Sequence, residues 1–432
     1  MTRSEDLVRS TVSAIAETVR DVPPLRLSPA PAPDARASAP RQRRRRSWLA
    51  PAAAAAAVLA IAVSAVVIKN LPADPAAPAT GSTAAASVPA YYAAPEATCK
   101  TCKTTRLVVG DTFTGAKLAS FDAPRGTRFA AVSAAADDRT FVADTVEYPF
   151  SSTQHVTWYL LKIAPGAATP ARLTRLRIPN TPAPSVVGDI ALSPSGSELA
   201  VTYGFNRPAR DTAELRIYSV TTGKLLNSWS AGVLDIALSP YGFSGLLESN
   251  NLLSWTDGGR AVSFTTFSDT MEGHRTDVAM RVVSVAARGG ELVGDSRVVW
   301  STQNADSESY CADGGIDVPE LTADGKTVVC GTGEALGGTD PSGKRAALPL
   351  AWLAYRTSEP EAARTLYKFT AYSTGPRPLG VATVQWSDTS GSTLIVAWVV
   401  RSKTMSALHF GVISHGSYTP LPTPPGAEFV AW

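Results

Sequence analysis

Beyond residue 90 the chain is written in short apolar runs broken by small-residue turns, and the same phrase returns several times. "DIALSPSGSELAVTYG" (189–204), "NLLSWTDGGRAVSFTT" (251–266), "VPELTADGKTVVCGTG" (318–333) and "ATVQWSDTSGSTLIVAWVV" (382–400) each read as an apolar strand, a Ser/Thr–Asp/Gly turn and a second apolar strand. "FAAVSAAADDRTFVADT" (129–145) is a weaker copy. Short β-branched and aromatic runs bounded by Gly and Asp predict hairpins. Aligned on Asp138, Gly196, Gly258, Gly325 and Gly391, the copies lie about 58 to 67 residues apart, and such recurrence marks a repeat architecture. Each copy continues into a second strand pair. The clearest is "AELRIYSVTTGKLLNSW" (213–229), where Thr222-Gly223-Lys224 makes a tight turn. "MRVVSVAARGGELVGD" (280–295) and "LAWLAYRTSEPEAARTLYKF" (350–369) occupy the same place in later copies. Four strands per copy is the content of one propeller blade.

The interval exceeds the roughly 40–45 residues of a compact blade, so the excess is expected in loops such as Phe205–Thr212 and Gly333–Leu348 on one face of the disc. Ring closure can also be read. Trp255-Thr256-Asp257 and Trp386-Ser387-Asp388 end first strands, and the chain itself ends "GAEFVAW", which puts Trp432 at the same place in an unfinished blade. Its missing strands are available in "PAYYAA", "TRLVVGDTFTG" and "AKLASF". A composite blade of residues 90–122 and 426–432 would leave no sheet edge open. The expected fold is therefore all-β: a propeller of six blades, with seven as the alternative count, spanning residues 90–432.

Ahead of it the pattern changes. Trp48–Ile68 is a run of 21 uncharged residues, long enough as a helix to cross roughly 30 Å of hydrocarbon. Arg41 and Arg43, Arg44, Arg45 and Arg46 crowd its N-terminal end and only Lys69 stands close on the other, which holds the N-terminus in the cytoplasm. A cleaved signal peptide is the alternative, with Val63-Ser64-Ala65 as a small-residue cleavage site, but 47 residues precede the run and a signal head is short. The expected topology is a retained single-pass anchor in the cell membrane with the propeller extracytoplasmic. Residues 1–22 hold an amphipathic helix: Thr2 and Glu5 have capping-box spacing, and Val8, Val12, Ile15 and Val19 share one face. Residues 2–20 are thus a candidate handle for a cytoplasmic partner. Residues 23–47 form a Pro/Arg-rich linker and 69–89 a second one.

Charge alters the picture in one respect. Residues 1–47 carry 10 Lys+Arg against 5 Asp+Glu, leaving 30 against 32 for the remainder of the 40 and 37. The net +3 is a topogenic cluster joined to a near-neutral domain, and no nucleic-acid footprint follows. Richness in Ala, Pro, Arg and Thr suggests a GC-rich genome, actinobacterial in character.

The turn phrases, Leu192-Ser193-Pro194-Ser195-Gly196 above all, resemble the WD40-like and TolB-like propeller repeats. The layout resembles actinobacterial single-pass proteins carrying such a propeller outside the cell. The resemblance covers residues 90–432 at low identity and lacks the GH and WD dipeptides of true WD40 repeats, so it implies fold and topology and no particular ligand.

Candidate chemistry is sparse. Cys311 and Cys330, 19 positions apart, suit a structural disulfide of an extracytoplasmic domain. Cys99-Lys100-Thr101-Cys102 suits a loop-clamping disulfide, with metal and redox readings as alternatives. His155, His274, His409 and His415 show no paired metal spacing, and His409 lies in a strand pattern that favours packing. No nucleophile elbow, P-loop or dinucleotide fingerprint is present, and no cofactor is implied. Tyr91, Tyr92, Tyr148, Phe150, Tyr203 and Phe205 are read first as strand or core aromatics and second as stacking surfaces for a ligand. The preferred expectation is an anchored binding, sensing or scaffold module for a protein, peptide or cell-wall ligand. The alternatives are an enzyme using the central channel, a quinoprotein-like dehydrogenase or polysaccharide lyase, and a component of a translocation or envelope assembly.

Overall fold

The computed structural model of the chain describes residues 88–97, 105–147, 155–164, 166, 170–179, 185–205, 212–232, 253–269, 276–302, 319–332, 334–335, 346–373, 379–401, 406–423 and 430–432. All of them belong to one compact unit, Ser82–Trp432. The leader, the arginine cluster 41–46, Trp48–Ile68 and the linker to residue 87 lie outside the described residues, among which no helix is long and apolar enough to cross a membrane.

The described strands form six sheets arranged as a six-bladed β-propeller. One sheet contains β1 (Tyr91–Ala97), β2 (Thr105–Asp111) and β3 (Lys117–Asp122). Blade 1 is β4 (Thr127–Ala134), β5 (Thr140–Glu147), β6 (Val156–Ile163) and β7 (Ala171–Arg175). Blade 2 is β8 (Ser185–Leu192), β9 (Glu198–Phe205), β10 (Thr212–Ser219) and β11 (Leu225–Gly232). Blade 3 is β12 (Leu253–Thr256), β13 (Ala261–Asp269), β14 (Thr276–Ser284) and β15 (Arg297–Ser301). Blade 4 holds β16 (Glu320–Leu321) and β17 (Thr327–Thr332), after which β18 (Glu334–Ala335) crosses to the next sheet, and is completed by β19 (Ala346–Arg356) and β20 (Glu359–Ser373). Blade 5 is β21 (Leu379–Ser387), β22 (Thr393–Arg401), β23 (Ser406–Ser414) and β24 (Ser417–Leu421).

The first sheet is completed by the end of the chain. Ala93 N–H donates to Ala431 O at 3.0 Å and Ala431 N–H returns a bond to Ala93 O at 2.9 Å, an antiparallel pair that makes residues 430–432 the innermost strand of a composite sixth blade. Six blades, rather than seven, close the ring.

Every blade is covered on both faces, and the core is divided accordingly into six apolar clusters, one at each junction between neighbouring blades. Successive residues point to opposite faces of a strand. In β17, Val328 and Cys330 therefore pack toward blade 3 while Val329 packs toward blade 5. Burial on both faces explains why these strands read as continuous apolar runs.

The turn between the first two strands of a blade repeats in detail. Asp138, Gly196, Gly325 and Gly391 each donate their N–H three residues back, to Ala135, Ser193, Thr322 and Asp388, at 2.8–3.3 Å. Each adopts the left-handed region, with φ of 53°, 70°, 71° and 69°. Glycine is the low-cost residue there, and blade 1 departs from it for a reason. The Asp138 carboxylate accepts the Ala90 N–H at 2.8 Å, fastening the point where the chain joins the ring. Asp138→Gly is expected to relieve about 1 kcal/mol of backbone strain and lose a charge-assisted bond worth about 1.5–3 kcal/mol. The net loss in a chemical unfolding experiment should be about 1 kcal/mol, whereas Asp138→Asn, which tolerates the turn and keeps an acceptor, should change little; a glycine variant more stable than the parent would show that the fastening is worthless.

One segment departs from the sequence reading. "MRVVSVAARGGELVGD" supplies only the third strand of blade 3, and the fourth is β15, further on. Residues 285–296 leave the blade and lie along the outer strand of blade 2. Ser230 N–H donates to Gly290 O at 2.9 Å, and Leu292 N–H to Ser230 O at 2.7 Å. The Asn227 side-chain amide donates to the carbonyls of Val285 and Ala287. Leu292 is fully buried in the junction of blades 2 and 3. The strap covers an edge that would otherwise present unpaired backbone groups.

Candidate functional site

Antiparallel order fixes the two faces of the disc. Connections after the first and third strands of each blade fall on one face, and those after the second and fourth fall on the other. The first face is built of short turns, such as 112–116, 193–197, 220–224, 357–358 and 415–416, with the strap as its one long excursion among the described residues. On the second face lie the described strand ends Ala97 and Thr105, Glu147 and Val156, Phe205 and Thr212, Gly232 and Leu253, and Thr332 and Ala346. The strand ends that flank the expected insertions Phe205–Thr212 and Gly333–Leu348 are among these, and the insertions themselves lie largely outside the described residues. The chain joins the ring on the opposite, turn-built face, where Ala90 is held by Asp138 and by a bond from Thr112 N–H to Ala90 O at 2.9 Å.

Around the axis, the innermost strands are tied across the junctions by side chains. Leu192 N–H donates to Ser133 Oγ at 2.9 Å, Leu253 N–H to Asp189 Oδ2 at 2.8 Å and the Trp255 indole to Ala191 O at 2.9 Å. Thr256 Oγ1 reaches Thr322 O at 3.1 Å, and Ser387 Oγ reaches Glu320 Oε1 at 3.2 Å. Asp189, 4% exposed, also accepts the Ile190 N–H at 2.7 Å. These groups hold the innermost strands in register, most of them at the strand ends that lead into the turn-built face.

Two further groupings were not visible in the sequence. At the junction of blades 1 and 2 a buried carboxyl, Asp144, stands near Arg128 and Tyr203, and Tyr203 in turn adjoins Tyr218 and Arg216. At the rim of blades 4 and 5 a run of rings passes from Tyr418 to Tyr367 (centroids 5.7 Å), Phe369, Trp398 and His409, with His409 stacked on Trp398 at 3.9 Å. Burial lowers the His409 pKa below the ordinary imidazole value. The Trp398 indole donates to Tyr418 Oη at 3.2 Å, which donates to Phe410 O at 3.0 Å. Tyr418 lies over Gly411, where a Cβ would come within 2.2 Å of its ring. The bare position of Gly411, two residues after His409 in an otherwise apolar strand, was the available sequence signal.

The residues singled out from the sequence separate clearly. Tyr92 and Tyr203 are core, at 2% and 0% exposure, and Tyr91 packs at the junction of the composite blade and blade 1. Tyr148, Phe150, His274, Cys99, Cys102 and Cys311 lie outside the described residues, as does the side chain of Phe205. Cys330 is fully buried in β17 and its thiol is not free. His155 is exposed before β6, and His415 occupies a left-handed turn with Nδ1 2.9 Å from Ser414 Oγ. Among the described residues no group of three His, Cys, Asp or Glu stands close enough to hold a metal ion.

No protein-family model matches the chain, and no curated protein matches it. Solved structures similar to it include an oligogalacturonate lyase in complex with manganese, at 9% identity over 72% of this chain and 74% of that one, TM-score 0.34. An uncharacterized protein from Listeria monocytogenes EGD-e is 10% identical over 79% of this chain and 82% of that one, TM-score 0.34. A prolyl endopeptidase is 11% identical over 69% of this chain and 50% of that one, TM-score 0.33. Similarity at this level adds nothing to what the sheet order already establishes.

Proposed function

We propose that the chain is a membrane-anchored binding module whose propeller lies outside the cell and offers its loop-bearing face to a protein, peptide or cell-wall ligand. The observation that carries the reading is the asymmetry of the disc. Short turns and the Asp138-held entry of the chain at Ala90 share one face, while the strand ends Phe205 and Thr212, Gly232 and Leu253, and Thr332 and Ala346, which the longer intervals of sequence join, lie on the other. A rigid frame with long connections on one side is the usual form of a recognition surface. Trp48–Ile68 serves as the single anchor, Arg41 and Arg43–Arg46 keep the N-terminus cytoplasmic, and residues 2–20 dock a cytoplasmic partner. Disulfides Cys311–Cys330 and Cys99–Cys102 clamp connections of the recognition face.

The test is site-specific photocrosslinking of the full chain in intact cells. Probes at Arg210 and Thr339 are expected to capture a partner, and probes at Lys224 and Lys326 to remain uncrosslinked. Capture from the turn face alone, or a mature chain that begins after Ala65, would sink the reading.

A further inference from the structure

β4 and β5 slip in register between Phe129 and Val132, so Ala130 and Ala131 form a bulge. A bulge leaves backbone N–H groups without a ladder partner, and here a side chain of the neighbouring strand supplies one. Asp144 Oδ1 accepts the Ala131 N–H at 2.7 Å. Blade 2 repeats the slip between Val187 and Ile190, and there the Asp189 N–H is taken by Thr202 Oγ1 at 2.8 Å. Asp144 and Thr202 stand at the same position, six residues beyond the left-handed turn residue of their blade. Blade 1 therefore performs with a carboxyl what blade 2 performs with a hydroxyl.

The exchange is costly in one protonation state. Asp144 is 1% exposed and shares its face of β5 with Val142 and Val146, inside the apolar junction of blades 1 and 2. The polar groups that face it can be named strand by strand. Arg128 comes from β4 and Tyr203 from β9. Behind Tyr203 on β10 stands a tied set: Arg216 lies over the Tyr203 ring at 5.2 Å, donates to Glu214 at 2.7 Å and reaches the Tyr218 hydroxyl at 3.5 Å. Arg216 is thereby engaged with Glu214. The β8 carboxylate, Asp189, is directed to blade 3 through Leu253.

We propose that the junction of blades 1 and 2 is a proton-controlled seam: with its proton, Asp144 caps the β4 bulge as a neutral group, and when the proton leaves, the ring is loosened between these two blades. Burial pushes the Asp144 carboxyl up to about 7, overriding the bulge N–H bonds and Arg128, which act in the opposite direction. In the unfolded chain the same group titrates near 4. The direction follows. Between about pH 4 and 7 the folded state holds a proton that the unfolded state has released, so the stabilisation is complete below about 4 and is lost as pH rises through about 7. One proton of difference corresponds to about a tenfold increase in the unfolding constant per pH unit.

The experiment uses the full chain in lipid nanodiscs, with denaturant unfolding at half-unit steps from pH 4.5 to 8.5. The parent should show this slope up to about pH 7 and then flatten; Asp144→Asn should lack it, and so should Asp144→Thr, which copies the solution of blade 2. A slope retained in both variants, or missing from the parent, overturns the proposal. Hydrogen exchange on the parent alone gives an independent reading. Corrected for intrinsic chemistry, the Ala130 and Ala131 amides should lose protection at least about tenfold between pH 5.5 and 8 relative to β22, and equal behaviour of the two regions overturns the proposal even if neither variant folds.

Discussion

Replacing Trp432 by Ala is expected to lower the free energy of unfolding by about 3–5 kcal/mol, although the residue is the last of the chain. A terminal residue normally frays. This one is 6% exposed, with its ring 5.3 Å from Phe410 in an edge-on contact and 6.4 Å from Tyr92. It fills the junction of blade 5 with the composite blade, alongside Val430, Ile395 and Ala397. Removing residues 430–432 altogether should cost more, because the paired bonds between Ala93 and Ala431 go with them and β1 is left as an open inner edge. Trp432→Phe is the control. The indole N–H has no hydrogen-bond partner among the described residues, so the ring and not its polar atom carries the effect, and the phenyl variant should lose less than about half as much. The check is denaturant unfolding followed by tryptophan fluorescence and by circular dichroism. Parent-like stability of the 430–432 deletion would show that the ring does not depend on its terminal strand.

A single methyl at Gly289 should have the second large effect. A Cβ there would stand 1.8 Å from the carbonyl oxygen of Ser228, and since the obstacle is backbone, no rotamer change can relieve it. Gly289→Ala should lift the strap off blade 2, breaking the Ser230 pairing and drawing Leu292 out of a site where it is fully buried. Losing a buried leucine costs on the order of 2–5 kcal/mol. The freed edge also changes behaviour. β11 carries Leu225 and Leu226 at 49% and 52% exposure beside the strap, and an uncovered apolar edge is a site for pairing between chains. Reduced thermal stability should therefore be accompanied by concentration-dependent association in light scattering, and exchange of the Ser230 and Leu292 amides should speed up together. If Gly289→Ala keeps both amides protected, residues 285–296 are held by something other than this close approach.

Particular residues show why parts of this molecule could be read in advance. The Asp/Gly turns at Asp138, Gly196, Gly325 and Gly391 are legible because a left-handed residue is a local demand, satisfied by the chain within a few positions. Trp432 is legible because its counterparts Trp255 and Trp386 announce the end of a first strand. Asp144 is not, because nothing local distinguishes an acidic strand residue facing water from one facing the next blade. The strap misleads for the opposite reason: Val282, Val283, Val285 and Leu292 together have the apolar content of a hairpin, yet only Val282 and Val283 stay in the blade, and the destination of Val285 and Leu292 is an edge some 60 positions earlier in the chain.

Sequence by itself determined the repeat, the all-β class, the assignment of four strands to a blade and the terminal strand that finishes the first sheet, since all of these are written in side-chain period and turn chemistry. Sequence favoured six blades, and tertiary structure settled six against seven; it alone decided the division of the core into six junctions, the course of the strap and the burial of Asp144. Each of these depends on which blade lies beside which, and that is set by packing between segments far apart in the chain, where no local pattern reaches.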